Sequence, residues 1–141
     1  GLDGQKMSKS YGNTIALREL PADVETKIKR MPTDPARVRR SDPGNPDHCP
    51  VWQLHMIYSN AEVKAWVQTG CRSAGIGCLE CKAPIIDAVN AELKPFQERA
   101  AEYERDTGLV RRILAEGCER ARAVTAETLR EVRGAMGLQY K

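Results

Sequence analysis

Apolar side chains recur every three or four residues from residue 21 onward, a spacing that predicts amphipathic helices. The predicted helices run from Pro21 to about Met31, Pro50 to Tyr58, Ala61 to Thr69, Pro84 to about Glu104, and about Val110 to Met136. Proline suits the first helical position, and Asn60 is a good N-cap. Pro95 predicts a bend or a break near Ala91. The pattern therefore indicates a mainly α protein.

A turn-rich connector separates the first predicted helix from the others. Residues 41–46 read Ser-Asp-Pro-Gly-Asn-Pro, a composition typical of turns. We therefore predict a boundary at residue 40, with a loop-bearing segment over 1–40 and a helical domain over 41–141. The apolar run from Thr14 to Leu17 predicts either a short strand end or a link into helix.

Composition agrees with one helical core of ordinary size. The chain has 141 residues, of which 41% are hydrophobic but only 5% aromatic, so the core is expected to be aliphatic. A net charge of +3 is too small to indicate nucleic acid by itself. With no apolar run of about 18 residues and no signal peptide, we expect a cytoplasmic protein with no membrane partner.

The first thirteen residues, which we call the lysine loop, have no apolar period. They combine two lysines, three glycines, two serines and an Asn. Glycine permits close approach, serine and backbone N–H groups donate hydrogen bonds, and lysine supplies a compact cation. This chemistry suits polyphosphate binding. The alternative is an ordinary basic surface loop.

The run Lys6-Met7-Ser8-Lys9-Ser10, with Gly-x-Asp-Gly before it and Tyr-Gly-Asn after it, resembles the K-M-S-K-S loop of class I aminoacyl-tRNA synthetases. The resemblance implies that the loop closes over ATP and that its lysines stabilise the departing pyrophosphate. Lys6 and Lys9 would be catalytic. The ATP-binding residues would be Lys6, Met7, Ser8, Lys9 and Ser10. Because the chain also begins without Met, we expect a C-terminal piece of a larger protein whose upstream part carries the nucleotide-binding fold.

Four cysteines have spacing that suggests a metal site: Cys49, Cys71, Cys78 and Cys81. Four thiolates can hold either zinc or a [4Fe–4S] cluster. Nearby glycine N–H groups and predicted helix N-termini favour the cluster, and four ordinary cysteines are the alternative. The fifth, Cys118, falls on the apolar stripe of the last helix and is predicted to be a core residue.

The run from Cys71 to Lys82, with Cys49-Pro50-Val51-Trp52 upstream, resembles the C-terminal domain of bacterial tryptophanyl-tRNA synthetases that carry a [4Fe–4S] cluster. The resemblance implies a C-terminal fragment of a tryptophan–tRNA ligase. The intact enzyme would be a homodimer that uses ATP and Mg²⁺ to join tryptophan to tRNA(Trp). Residues 41–141 would form a helical bundle that binds the anticodon.

Two further expectations follow from these assignments. The fragment alone is predicted to be inactive, because the amino-acid pocket and most of the ATP site would lie upstream. The alternative function is a non-catalytic iron–sulfur or zinc RNA-binding module, in which the lysine loop is incidental.

Overall fold

The computed structural model describes residues 1–138, and every regular element in that range is helical. Five α-helices follow one another: α1 (Pro21–Arg30), α2 (Pro50–Tyr58), α3 (Ala61–Arg72), α4 (Cys78–Arg105) and α5 (Thr107–Ala135). Two single 3₁₀ turns accompany them: Lys9–Tyr11 precedes α1, and Pro46–His48 lies between α1 and α2. The mainly α prediction is confirmed. The run from Thr14 to Leu17 is an irregular link that contains a turn.

Local signals set the bounds of the first helices. Pro21 and Pro50 begin α1 and α2 at the position where a missing N–H costs nothing. The Asn60 side chain accepts a hydrogen bond from the Val63 N–H at 2.9 Å and so caps α3, as predicted.

Helices α3 and α4 both extend beyond their predicted ends, towards each other. Helix α3 continues to Arg72, so Gly70 lies inside it rather than after it. A side chain at Gly70 would come within 2.7 Å of Ile76, and glycine is what allows this close approach. Helix α4 begins at Cys78 because Glu80 accepts a hydrogen bond from the Gly77 N–H at 3.1 Å, one half of a capping box.

Helix α4 contains both Pro84 and Pro95 and is continuous from Cys78 to Arg105. The expectation that Pro84 begins this helix is wrong. Of the bend or break expected near Ala91, the continuous helix excludes the break. A proline inside a helix removes one backbone hydrogen bond, and its ring crowds the carbonyl four residues earlier. The apolar face of α4, which is buried at Ile85, Val89 and Leu93, compensates for that loss.

The hydrophobic core is aliphatic and joins α1, α2 and α4. It consists of Val24, Ile28, Met31, Val51, Ile85, Ile86, Val89 and Leu93. Cys49 and Cys81 pack against this core while partly buried. Two of the cysteines are therefore positioned by close packing against the core.

The chain divides into two compact units, Gly1–Glu98 and Arg99–Lys141. The first contains the lysine loop and the four cysteines. The second contains α5, whose start is capped by the Asp106 side chain accepting from the Leu109 N–H at 2.9 Å. No residue of α5 is buried, and Cys118 is exposed, so its predicted core position is wrong. Within residues 1–138, no helix has the length and apolarity needed to cross a membrane.

Candidate functional sites: a lysine loop and a four-cysteine cavity

Asn13 holds the lysine loop in one conformation. Its side-chain N–H₂ donates to Asp3 Oδ1 at 2.7 Å and to the Lys6 carbonyl at 3.1 Å. Its Oδ1 accepts from the Ser8 N–H at 2.7 Å. Only 4% of Asn13 is exposed, so these hydrogen bonds are shielded from water. The sequence identifies the loop, but the bonds made by Asn13 emerge only from the fold.

Two glycines allow the loop to turn back on itself. Gly4 and Gly12 have φ angles of 80° and 66°, in the left-handed region that favours glycine. Gly12 ends the short turn Lys9–Tyr11 and donates its N–H to the Lys9 carbonyl at 3.2 Å. The backbone conformation of the turn that carries Lys9 is therefore fixed by Gly12 and this hydrogen bond.

The polar side chains of the loop are available to a ligand. Lys6, Met7, Lys9 and Ser10 are exposed and Ser8 is half-buried. The Ser8 and Ser10 hydroxyls lie 2.8 Å apart. Beside the loop is a cleft of about 260 Å³ with a basic wall, lined by Leu2, Asp3, Tyr11, Gly12, Asn13, Lys27, Arg30 and Met31. The arrangement can accept an anion.

The four predicted cysteine ligands line one cavity. Cys49 immediately precedes α2, Cys71 lies in the last turn of α3, and Cys78 and Cys81 lie in the first turn of α4. The remaining lining residues are Thr33, Asp34, Arg37 and Val51. We call this space the cysteine cavity.

Burial disfavours the charged form of two thiols in this cavity, those of Cys71 and Cys81. The pKa of Cys81 is raised to about 12, first by burial and then by the neighbouring Cys49, Cys71 and Cys78 thiols. Burial also raises the pKa of Cys71, although the nearby Arg37 guanidinium opposes the shift. These thiols would therefore stay protonated unless a positive centre displaced the protons.

The described part of the chain contains no group of three or more His, Cys, Asp or Glu side chains arranged to hold a metal ion. A single tetrahedral zinc needs sulfurs about 2.3 Å away from it. The cysteines share a cavity without converging on one point, and the metal assignment stays a prediction.

Sequence reasoning missed two buried groups beside the cysteines. His55 is fully buried, with Nε2 3.2 Å from Cys81 Sγ and Nδ1 2.8 Å from Ser59 Oγ. Burial lowers its pKa. Arg37 is only 9% exposed and donates from Nη2 to the Ile76 carbonyl at 2.6 Å. Arg37 lies in a run of basic residues and His55 lies in a helix, so the sequence gave no reason to predict either of them beside the cysteines.

Lys82 connects the cysteine-bearing end of α4 to α1. It is 2% exposed, and its Nζ donates to the Lys29 and Met31 carbonyls, each at 2.7 Å. These carbonyls lie at the end of α1, where helical carbonyls lack intrahelical partners. Burial lowers the pKa of Lys82. The Lys82 side chain thus links α4 to the end of α1, a contact that the sequence did not indicate.

Comparison with known proteins identifies the family. Residues 1–94 match the family model described as tRNA synthetases class I (W and Y). The chain is 65% identical over 140 residues to a tryptophan–tRNA ligase of Ralstonia nicotianae and 46% identical over 141 residues to one of Thermotoga maritima. These alignments cover 99% of this chain but 35% and 43% of the two relatives. The chain thus spans well under half of their length.

A solved structure agrees with the sequence relatives. The tryptophanyl-tRNA synthetase of Campylobacter jejuni, complexed with ADP and tryptophan, superposes with a TM-score of 0.82 at 26% identity. The match covers 98% of this chain and 43% of that one. The fold of this chain is therefore one found in a synthetase.

The function assigned from the sequence needs correction. The sequence-based assignment was a C-terminal fragment whose residues 41–141 bind the anticodon, but the synthetase family model matches residues 1–94 and so includes residues 41–94 of that segment. The two tryptophan–tRNA ligases align along 99% of this chain. The anticodon-binding assignment is wrong, and so is the alternative of a non-catalytic iron–sulfur or zinc RNA-binding module. By the family match and the relatives, the chain belongs to the class I tryptophanyl-tRNA synthetase family.

Proposed function

We propose that this chain contributes the lysine loop to a tryptophan–tRNA ligase, with Lys6 and Lys9 acting on ATP during tryptophan activation. One observation supports the proposal above all: the hydrogen bonds of Asn13 hold the loop backbone while both lysines stay exposed. Met7, Ser8 and Ser10 complete the ATP contacts. A held backbone with exposed cations can receive a polyphosphate without rearranging its own framework.

The chemistry of this step assigns a role to the lysines. A tryptophan carboxylate oxygen attacks the α-phosphorus of ATP, the bond to the bridging oxygen breaks, and pyrophosphate departs with the electron pair. Negative charge grows on the departing group in the transition state. Cations that meet this charge as it grows accelerate the reaction more than cations that bind ATP equally well throughout. Mg²⁺ would neutralise further phosphate charge when bound.

The proposal extends to the activity of the whole protein. It would transfer the tryptophanyl group to tRNA(Trp) and work in the cytoplasm as a homodimer. Residues 1–40 would carry the loop, and residues 41–141 would form the helical segment that follows it in the chain. The 141-residue chain alone would be inactive, because the tryptophan pocket and most of the ATP site would lie in the part of the relatives that it does not span.

A chimera tests this directly. The chain would replace the aligned segment of the Ralstonia nicotianae tryptophan–tRNA ligase, its 65% identical relative. Tryptophan-dependent exchange of pyrophosphate into ATP is then measured for the chimera and for the chain alone. We expect exchange by the chimera and none by the chain. A folded chimera without exchange contradicts the proposed activity, and robust exchange by the chain alone contradicts its predicted inactivity.

We propose in addition that Cys49, Cys71, Cys78 and Cys81 hold a [4Fe–4S] cluster as a structural support. The support is the chemistry of the donors: four thiols line one cavity with a buried guanidinium that has an unpaired Nε. In such a cluster each cysteine binds a different iron, so the sulfurs surround the centre without meeting at one ion. Glycine at position 44 also keeps a side chain away from the Cys71 thiol, since a Cβ there would lie 2.7 Å from Cys71 Sγ.

Zinc is the alternative occupant, and anaerobic purification distinguishes the two. We expect a brown protein with four irons and four sulfides per chain, as this cluster type requires. Cys71→Ser and Cys81→Ser should lose the iron, whereas Cys118→Ser should keep it because Cys118 is exposed on α5 outside the cavity. A colourless protein with one zinc per chain, or equal iron in all three variants, contradicts the cluster.

A further inference from the structure

Arg37 is a buried cation fixed at the edge of the cysteine cavity. Its Nη2 donates to the Arg40 carbonyl at 2.9 Å and to the Ile76 carbonyl at 2.6 Å. These bonds tie the connector after α1 to the segment between Cys71 and Cys78. The guanidinium is thereby held in place independently of any ligand.

The remaining donors of Arg37 are only partly used. Nη1 lies 4.0 Å from Cys71 Sγ, a long contact, and Nε is buried with no hydrogen-bond partner. Buried polar atoms without partners are rare in folded proteins, and each calls for an explanation. Arg37 lines the same cavity as all four cysteines. A ligand with acceptor atoms in that cavity would give this Nε–H a partner.

The Arg37 guanidinium forms no ion pair with a carboxylate among residues 1–138. Asp34 and Glu80 act on it electrostatically from beyond ion-pair distance. The Asp34 carboxylate oxygens accept hydrogen bonds from the Ala36 N–H at 3.0 Å and the Asn45 N–H at 2.7 Å instead. Burying a charge without an ion pair is costly, so negative charge inside the cavity would stabilise Arg37 further.

We propose that Arg37 is a positioning residue that neutralises an anionic iron–sulfur cluster in the cysteine cavity. This inference rests on the cluster proposed above. Four thiolates outweigh the positive charge of the cluster core, so the loaded site is negative. Hydrogen bonds and positive charge near cluster sulfurs raise the reduction potential. Arg37 therefore stabilises the reduced cluster relative to the oxidised one.

The test is a reduction potential measured on the full chain. Wild type, Arg37→Gln and Arg39→Gln are loaded anaerobically with equal ferrous and ferric iron and with sulfide, then titrated with dithionite as the one-electron reductant. Arg39 is exposed on the same connector and is absent from the cavity lining, so it controls for general surface charge. Iron content and circular dichroism accompany each titration.

We expect Arg37→Gln to move the potential negative by at least about 59 mV, a tenfold change in the one-electron equilibrium. Arg39→Gln should match wild type. If iron-loaded Arg37→Gln keeps the wild-type potential, the proposed role of Arg37 is overturned while the cluster itself stands. An equal shift in Arg39→Gln has the same consequence. A wild-type chain that takes up no iron overturns the cluster, and the role of Arg37 falls with it.

A second measurement keeps the inference testable if Arg37→Gln does not fold. Wild-type chain labelled with ¹⁵N at arginine Nε is followed by NMR before and after loading with iron and sulfide. The Arg37 signal is identified by its absence in Arg37→Lys. Loading should shift this signal, and an unchanged signal in an iron-loaded chain overturns the proposal.

Discussion

At the scale of single residues, Asn13 determines the conformation of the lysine loop, and Asn13→Ala tests this. The substitution removes the acceptor for the Ser8 N–H and the donors to Asp3 and Lys6. We expect a loss of about 2 kcal/mol in the free energy of unfolding, since the Ser8 N–H is left unpaired. Urea denaturation measures this loss, and amide hydrogen exchange at Ser8 should quicken.

Gln5→Ala is the matched control for Asn13. Gln5 lies in the same loop and is exposed, and its backbone rather than its side chain makes the local hydrogen bonds. Surface changes of this kind alter stability by no more than about 0.5 kcal/mol. Equal losses in Asn13→Ala and Gln5→Ala would mean that the side-chain bonds of Asn13 do not hold the loop.

Asp34 gives the chain a specific sensitivity to acid. Hydrogen bonds from the Asn45 and Ala36 N–H groups hold the pKa of its carboxyl below the ordinary value. A lowered pKa in the folded state contributes stability above the unfolded pKa of about 3.9, and this contribution is lost as pH falls through the folded pKa. We therefore expect stability to drop as pH falls below about 4.

Asp34→Asn isolates that contribution. The amide replaces one acceptor with a donor, so one of the two N–H groups loses its partner. We expect lower stability at pH 7 and a flatter fall between pH 5 and pH 2, measured by urea denaturation at each pH. Asp87→Asn, at an exposed position on α4, is the control. An acid profile for Asp34→Asn that parallels wild type would rule out this source of the acid sensitivity.

Single residues also show what the sequence could predict. The cysteines were identifiable because thiols at such spacing are rare and chemically distinctive, and the fold does place all four around one cavity. Arg37 and His55 were not identified as neighbours of the cysteines. The residues around each of them in the sequence do not indicate which side chains lie near it in the folded chain. His55 lies 26 positions from Cys81, and Arg37 lies 34 from Cys71.

At the scale of elements, Lys82 ties α4 to α1, and Lys82→Met tests the tie. The change keeps the aliphatic length but removes the donor to the Lys29 and Met31 carbonyls. A buried hydrogen bond from a charged donor contributes about 1.5–3 kcal/mol, so we expect a loss of about that size. Guanidinium denaturation, monitored by circular dichroism, measures the loss.

Lys64→Met controls for the removal of a lysine. Lys64 also donates to a carbonyl, that of Met56 at 2.9 Å, but this hydrogen bond is exposed to solvent and the residue is only half-buried. Water can replace an exposed bond, so the expected change is below about 1 kcal/mol. If Lys64→Met destabilises the chain as much as Lys82→Met, burial is not what makes the Lys82 contact important.

Element bounds were predictable where the signal is local. Pro21, Pro50 and Asn60 mark helix starts through backbone chemistry that acts within one turn, and all three were placed correctly. The start of α4 was missed because the glycines around Ile76 resemble a loop. Its capping by Glu80 also involves a distant residue, since Arg40 pairs with the Glu80 carboxylate at 2.9 Å.

The second unit shows a different limit. The apolar period of α5 correctly predicted a long helix, yet its apolar residues, including Leu114 and Leu129, remain exposed. Periodicity reports which face of a helix is apolar, but it does not report whether another surface covers that face. Cys118 does lie in the predicted helix, but it is exposed, so the prediction that it is buried in the core was wrong.

At the scale of the whole molecule, one aliphatic core supports both chemical sites of the first unit. Helix α1 contributes Val24 and Ile28 to that core and also lines the cleft beside the lysine loop. Helix α4 contributes Ile85 and begins with two cysteines of the cavity. Family membership followed from the loop and the cysteines, whereas the role of residues 41–94 did not, because helical periodicity does not distinguish a catalytic from an anticodon-binding segment.

The most direct test of the central claim is the rate of tryptophanyl-adenylate formation in the chimera with Lys9→Ala, measured in single turnovers over a range of ATP concentrations. A cation that acts mainly in the transition state should lower the limiting rate by about 10²–10³-fold, while the ATP concentration that gives half of that rate changes little. Lys29→Ala, which removes an exposed lysine of α1 that pairs with Glu25, is the control and should keep the full rate. A Lys9→Ala chimera that folds and forms adenylate at the unaltered rate would contradict the account.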